Sequence, residues 1–209
     1  MDRNLVRHLR LILIADHALF RGRDPIALCR AAVDGGVTAV QLRWKGGLPR
    51  EQVGLLRRLV AALPVPVFAN DRPDLALAAG CAGVHLGADD LPLALARTIA
   101  PAEFLIGVSV GDDAEAEGAA GADYAGVGPW RETATKADAG AALGANGAAR
   151  LITRIRPVPA VVIGGVLPED VPAIHAAGAV GVAVGSGILG MEDVRRAAAA
   201  YREAERGMA

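Results

Sequence analysis

Short runs of aliphatic and β-branched residues recur along the chain, separated by longer stretches in which apolar positions return every three or four residues. The short runs are LILIA (11–15), AVQLR (39–43), VPVFA (65–69), GVHLG (83–87), FLIGVS (104–109), DYAGVG (123–128), AVVIGG (160–165) and GVAVG (181–185). Each has the length and branching of a buried strand, and a near-continuous apolar run marks a strand covered on both faces. The stretches between them, such as PIALCRAAVDGG, REQVGLLRRLVAAL, AEAEGAAGA and EDVPAIHAAGA, have helical spacing. Several end in Gly just before the next strand, where a helix C-cap needs a residue free to turn left-handed. Strand and helix in alternation, eight times over with few insertions, predict an α/β fold: a (β/α)8 TIM barrel occupying residues 1–209 as one domain. An open doubly wound sheet is the alternative, and the number of units and the lack of an early GxGxxG weigh against it.

Composition agrees with that pattern. Just over half of the 209 residues are apolar, yet the chain has only two Trp, two Tyr and three Phe, so its interior is built from Ala, Val, Leu and Ile around many glycines. The formal net charge of −1, with acids and bases interspersed, indicates neither nucleic acid nor an anionic membrane as a partner. Cys29 and Cys81 belong to no CxxC pattern and sit in apolar surroundings, as reduced core residues do. The opening MDRNLVRHLRLILIA lacks the apolar length of a signal segment and reads as leading into a first strand. The uncharged window from Val171 to Met191 has the length of a membrane span, but its glycines, Pro172 and His175 divide it into a helix, a turn and a buried strand. The expectation is a soluble, cytoplasmic protein.

A parallel barrel places its chemistry where the strands end, because the βα loops converge on one rim. Polar or glycine-rich residues stand at the predicted strand ends from the second to the eighth: QLRWK, ND, HLGADD, Ser109, PWRETATK, IGG and GSG. After the seventh and eighth strands, Gly164, Gly165, Gly185, Ser186 and Gly187 allow backbone N–H groups to approach a phosphate closely. At the end of the second strand Gln41, Arg43 and Lys45 alternate, so they share one face. If that face is the barrel mouth, unpaired cations there call for an anion. With Lys136 they form a second anion site, more cationic than the first, as a diphosphate requires. The loop GPWRETATK adds Arg131, Thr133 and Thr135, donors suited to phosphate oxygens. Asp71 and Asp90 follow neighbouring strands and offer hard oxygen ligands to Mg2+, although each could instead cap the helix after it. His85 is expected to pack within or beside the barrel mouth, and His8, His17 and His175 show no ligand spacing.

Taken in order and spacing, QLRWK, NDRPDLALAAGCAGVHLGADD, GVS, GPWRETATK and VVIGG resemble the thiamin phosphate synthase family, also called thiamin-phosphate pyrophosphorylase. The resemblance spans the second to the eighth predicted strands. It implies a phosphate-binding TIM barrel that joins an aminopyrimidine methyl diphosphate to a thiazole phosphate and releases diphosphate. Carried over by position, it assigns the pyrimidine diphosphate to Gln41, Leu42, Arg43, Trp44, Lys45, Asn70, Ser109 and Lys136. Arg43, Lys45, Ser109 and Lys136 carry the catalytic roles, and Mg2+ rests on Asp71 and Asp90. It assigns the thiazole phosphate to Thr133, Ala134, Thr135, Gly165, Gly185 and Ser186. The implied mechanism breaks the bond to diphosphate first, so leaving-group electrostatics and positioning do most of the catalysis.

The chain departs from the family pattern at Trp44, Ala88, Val110 and Gly111, which touches fine substrate contacts and leaves the phosphate and metal groups in place. Two alternatives stay open. A thiazole tautomerase-like isomerase keeps the barrel and the thiazole phosphate site, but in that branch a His stands where this chain has Pro129. A non-catalytic phosphate-binding barrel predicts erosion of the diphosphate or metal groups.

Overall fold

A computed structural model of the protein describes residues 3–132 and 141–207, without the side chain of Arg3. In chain order the elements are α1 (Arg3–Leu9), β1 (Leu11–Asp16), α2 (His17–Phe20), α3 (Pro25–Asp34), β2 (Ala39–Arg43), α4 (Pro49–Ala62), β3 (Val67–Asn70), α5 (Pro73–Ala79), β4 (Gly83–Leu86) and α6 (Leu93–Ile99). They continue with β5 (Leu105–Val110), α7 (Asp113–Gly118), β6 (Tyr124–Val127), α8 (Gly144–Arg154), β7 (Ala160–Ile163), a 3-10 turn (Pro168–Asp170), α9 (Val171–Ala176), β8 (Gly181–Val184), α10 (Ser186–Leu189) and α11 (Val194–Arg206). The strands pair in parallel from β1 to β8, and β8 closes back on β1. The closed order excludes the open sheet.

Alternation along each strand divides the apolar residues into two bodies. Leu11, Leu13, Ala15, Val40, Leu42, Val84 and Val162 point outward and join the helices in one large core. Ile12, Ile14, Ala39, Phe68, Tyr124, Val161 and Ala183 fill the inside of the barrel. Room in that narrow interior is made by glycine: a Cβ at Gly107 would lie 2.1 Å from the Tyr124 ring. The same ring meets Phe68 edge to face at 5.8 Å.

Two differences from the sequence reading have simple causes. Residues before β1 form α1, because Leu5 and Leu9 are one helical turn apart and join the barrel interior, closing its lower end. β3 starts at Val67 rather than Val65, since Pro66 has no N–H to give to a ladder. Val171–Ala176 is a helix and Gly181–Val184 a buried strand, as expected. Among the described residues no helix is long and apolar enough to cross a membrane. Cys29 and Cys81 are buried and unbridged, and burial pushes both thiols up to about 12.

Candidate active site

The ends of β1 to β4 carry charge. The parallel register sets Asp16 opposite Arg43 and Asn70 opposite His85, so these side chains share the inward face at the top of the barrel. Gln41, 5 % exposed, donates from Nε2 to Asn70 Oδ1 at 2.7 Å. Asn70 in turn donates to Asp71, whose other carboxylate oxygen takes Lys45 Nζ. Arg43 Nη1 reaches Asp16 Oδ2 at 2.5 Å. Both cations therefore have a resident carboxylate partner, which corrects the expectation of unpaired cations at the mouth. Sequence reasoning supplied the cations but could not see the pairing, which exists only in the register between strands.

Asp71 and Asp90 are neighbours. Asp71 adopts φ +66°, a left-handed turn that Asp tolerates better than most residues and that turns its side chain back over the strand ends. Asp90 Oδ2 accepts the Gly87 N–H at 2.6 Å. Desolvation holds the Asp90 carboxyl above the usual carboxylate range; the Gly87 hydrogen bond opposes that, and the adjacent Asp71 adds to it. Neither residue caps a helix: the N-cap positions of α5 and α6 are Arg72 and Pro92, without a side-chain cap bond. Among the described residues no three His, Cys, Asp or Glu side chains come together in a way that could hold a metal.

Beneath this cluster lies a chain of polar side chains. Ser109 Oγ is 3.1 Å from His85 Nε2, and His85 Nδ1 is 3.2 Å from the hydroxyl of buried Tyr124. Burial pushes the Tyr124 phenol up, so it stays protonated and fixes the ring that fixes Ser109. His85 was read only as packing near the mouth; its link to Ser109 again follows from register.

The ends of β6 to β8 are built of backbone. Gly164 and Gly165 take φ +93° and +67°, and a Cβ on them would lie 2.6 Å from Pro129 Cβ and 2.9 Å from Arg131 Cβ. Only glycine permits that approach. They line a cavity of about 160 Å³ with Ile14, Ile163, Val184, Gly185, Ser186 and Gly187. A second, wider hollow of about 680 Å³ lies beside it, lined by Asp16, His17, Trp44, Lys45 and Glu132 among others. Arg43, Gly165 and Ser186 border both.

The structure thus brings Gln41, Arg43, Lys45, Asn70, Asp71, Asp90, Ser109, Gly165, Gly185 and Ser186 to one end of the barrel. Leu42 does not share that face: its side chain is buried in the outer core, leaving only its backbone to a ligand. Trp44 leaves the inward face of β2, but its indole, stacked on the His17 ring at 3.7 Å and 8°, still borders the wider hollow. Thr133, Ala134, Thr135 and Lys136 lie outside the described residues. Arg131, counted among the loop's free donors, is instead paired with buried Asp170, which also accepts the Leu167 N–H at 2.9 Å. Asp16 was missed altogether, although it ends β1 as Asn70 ends β3.

A family model described as thiamine monophosphate synthase matches residues 11–188. A thiamine-phosphate synthase of Syntrophomonas wolfei is 43 % identical over 198 residues, covering 92 % of this chain and 94 % of the relative. One from Xanthobacter autotrophicus is 45 % identical over 201 residues, covering 94 % and 95 %. Among solved structures, a thiamine phosphate pyrophosphorylase from Pyrococcus furiosus superposes with a TM-score of 0.86 at 34 % identity, covering 97 % of this chain and 98 % of that one.

Proposed function

Because the chain belongs to the thiamine monophosphate synthase family, we propose that it transfers the aminopyrimidine methyl group from its diphosphate to thiazole phosphate, giving thiamin phosphate and diphosphate. The observation that carries this reading is the division of the mouth. One side gathers Arg43 and Lys45 with Asp71 and Asp90, and the other presents glycine backbone around an apolar cavity. A substrate with a diphosphate fits the first side, and one with a single phosphate and a small ring fits the second.

Asp71 and Asp90 fit a divalent cation. Two carboxylates in contact, one of them desolvated, repel; Lys45 offsets part of that repulsion, and a divalent cation between them would offset the rest. Mg2+ keeps most of its shell as water and phosphate oxygen, so two protein ligands are enough. When bound there, the ion would offset negative charge on the diphosphate as it leaves. The chain's own groups do the rest. Lys45 and Arg43, each held by one carboxylate, keep further N–H donors for phosphate oxygens. Asn70 and Ser109, fixed by Gln41 and His85, orient the pyrimidine side, and Lys136 adds a further cation to the diphosphate. Gly165, Gly185 and Ser186, with Thr133, Ala134 and Thr135, hold the thiazole phosphate so that its ring nitrogen faces the methylene. That nitrogen needs no deprotonation, so no general base is required, and bond breaking to diphosphate leads. The reaction is set in the cytoplasm, the compartment that keeps buried, unbridged thiols such as Cys29 and Cys81 reduced.

Both substrates incubated with the protein and Mg2+ should yield thiamin phosphate and diphosphate in equal amounts. Isomerisation of a thiazole phosphate with no joining of the rings would replace this reading by the tautomerase one.

A further inference from the structure

Arg43 is the one charged side chain among the described residues that borders both cavities, so its orientation decides what happens between them. What fixes that orientation is Asp16. It stands at the end of β1, directly across the register from Arg43, and its side chain is 9 % exposed against 20 % for Arg43. The two carboxylate oxygens are committed to different tasks: Oδ1 accepts the Ala18 N–H at 2.9 Å and caps α2, and Oδ2 takes Arg43 Nη1. The cap locks the carboxylate rotamer, and the locked carboxylate aims the guanidinium.

We propose that Asp16 is a positioning residue that holds Arg43 between the diphosphate and the thiazole phosphate. This rests on the functional reading above. A guanidinium has five donors in a rigid fork, and one of them on Asp16 leaves the others free to meet phosphate oxygens from either side. Asp16 also sets a limit on attraction. As the partner of Arg43 it lowers the net positive charge of the mouth, so diphosphate is drawn in less strongly and product leaves more readily.

The two tasks can be separated. In D16N the amide oxygen keeps the cap on Ala18, since Asn is as good an N-cap as Asp, while the amide group facing Arg43 loses its charge. Position and charge then pull in opposite directions on the kinetics. A misaimed Arg43 lowers kcat ten- to hundred-fold, the usual cost of about 1 Å of misplacement. The lost negative charge keeps KM for the pyrimidine diphosphate level or lowers it. A simple lost binding contact would do the reverse, raising KM at constant kcat. The decisive comparison is the cycle of D16N, R43A and the double variant. If Asp16 acts through Arg43, D16N costs nothing further once Arg43 is gone.

Wild-type protein that forms no thiamin phosphate defeats the functional reading before Asp16 is tested. In an active enzyme, D16N with wild-type kcat, or losses that multiply in the double variant, overturns the assignment. D16S, whose hydroxyl also caps, runs the same cycle if D16N does not fold. Failure of both neutral variants to fold overturns it too, because Asp16 would then serve the fold itself.

Discussion

The two halves of the barrel mouth solve the same problem by different means. In the proposed reaction both must hold an anion. On the side of β1 to β4, side chains do so, and each arrives with a partner: Arg43 with Asp16 and Lys45 with Asp71. On the side of β6 to β8, backbone does so, and the sequence requirement is the absence of a side chain at Gly164 and Gly165. Paired charges can shift between partners, so the first half is suited to an anion that must depart. Backbone N–H groups cannot move away, so the second half is suited to an anion that stays attached to its molecule throughout. The contrast also separates how each half fails: the first loses rate, the second loses shape.

The largest expected effect is on the charged half. Asp71→Asn and Asp90→Asn should each lower kcat roughly 100- to 1,000-fold, the usual cost of losing electrostatic stabilisation at a departing anion. Asn at position 71 tolerates the same left-handed backbone as Asp, so the fold is spared. Chelation by EDTA should abolish wild-type turnover and added Mg2+ restore it. Turnover indifferent to EDTA and to both substitutions would remove the metal from this half and leave it a purely cationic site.

Next comes the backbone half. Gly164 borders the apolar cavity and not the wider hollow, so it is the cleaner probe. In Gly164→Ala a methyl group must displace Pro129 and tolerate φ +93°, a strain of about 1–3 kcal/mol. KM for thiazole phosphate should rise about tenfold or more, while the Mg2+ requirement and KM for the pyrimidine diphosphate hold within a few-fold. Equal damage to both substrates would show that the halves are one continuous site.

The same contrast explains what could be read from the chain. The strands were legible because a parallel sheet buried on both faces leaves nearly unbroken apolar runs, and the glycines were legible because a rim without side chains is visible as composition. Arg43, Lys45, Asp71 and Asp90 were visible one by one as charges at strand ends. Their pairing was not, because Asp16 and Arg43 meet only through the β1–β2 register, 27 residues apart in sequence. Asp16 could have been found by applying the strand-end rule to LILIAD as it was applied to VFAND. Arg131 was misjudged for the opposite reason: its partner Asp170 sits in a short turn after β7 that no periodicity announces. Helix α1 escaped because fewer than two turns run straight into an apolar strand, and the two periods blur.

The smallest effect sharpens the boundary of the charged half. Trp44 sits between Arg43 and Lys45 in sequence but faces away from them, stacked on His17 and pressed by Gly47, where a Cβ would lie 2.6 Å from the indole. With one face on His17 and Gly47 close against the ring, the indole borders the wider hollow only with the surface those contacts leave. The stack ties α2, which follows Asp16 at the end of β1, to the loop after β2 that carries Lys45, so the main role expected of Trp44 is to brace the half that moves charge. Trp44→Ala should then cost the ring pair, about 1 kcal/mol, plus the burial lost with the indole, and lower the melting temperature by at least the roughly 2–4 °C that 1 kcal/mol gives in a chain of this size. His17→Ala should cost the ring pair alone, and the two together little more than Trp44→Ala, because they share that one contact. Both variants should keep kcat and both KM values within a few-fold. A tenfold rise in KM for the pyrimidine diphosphate with unchanged melting would move Trp44 from brace to substrate contact, and the charged half would then extend one residue further around the rim than its pairings indicate.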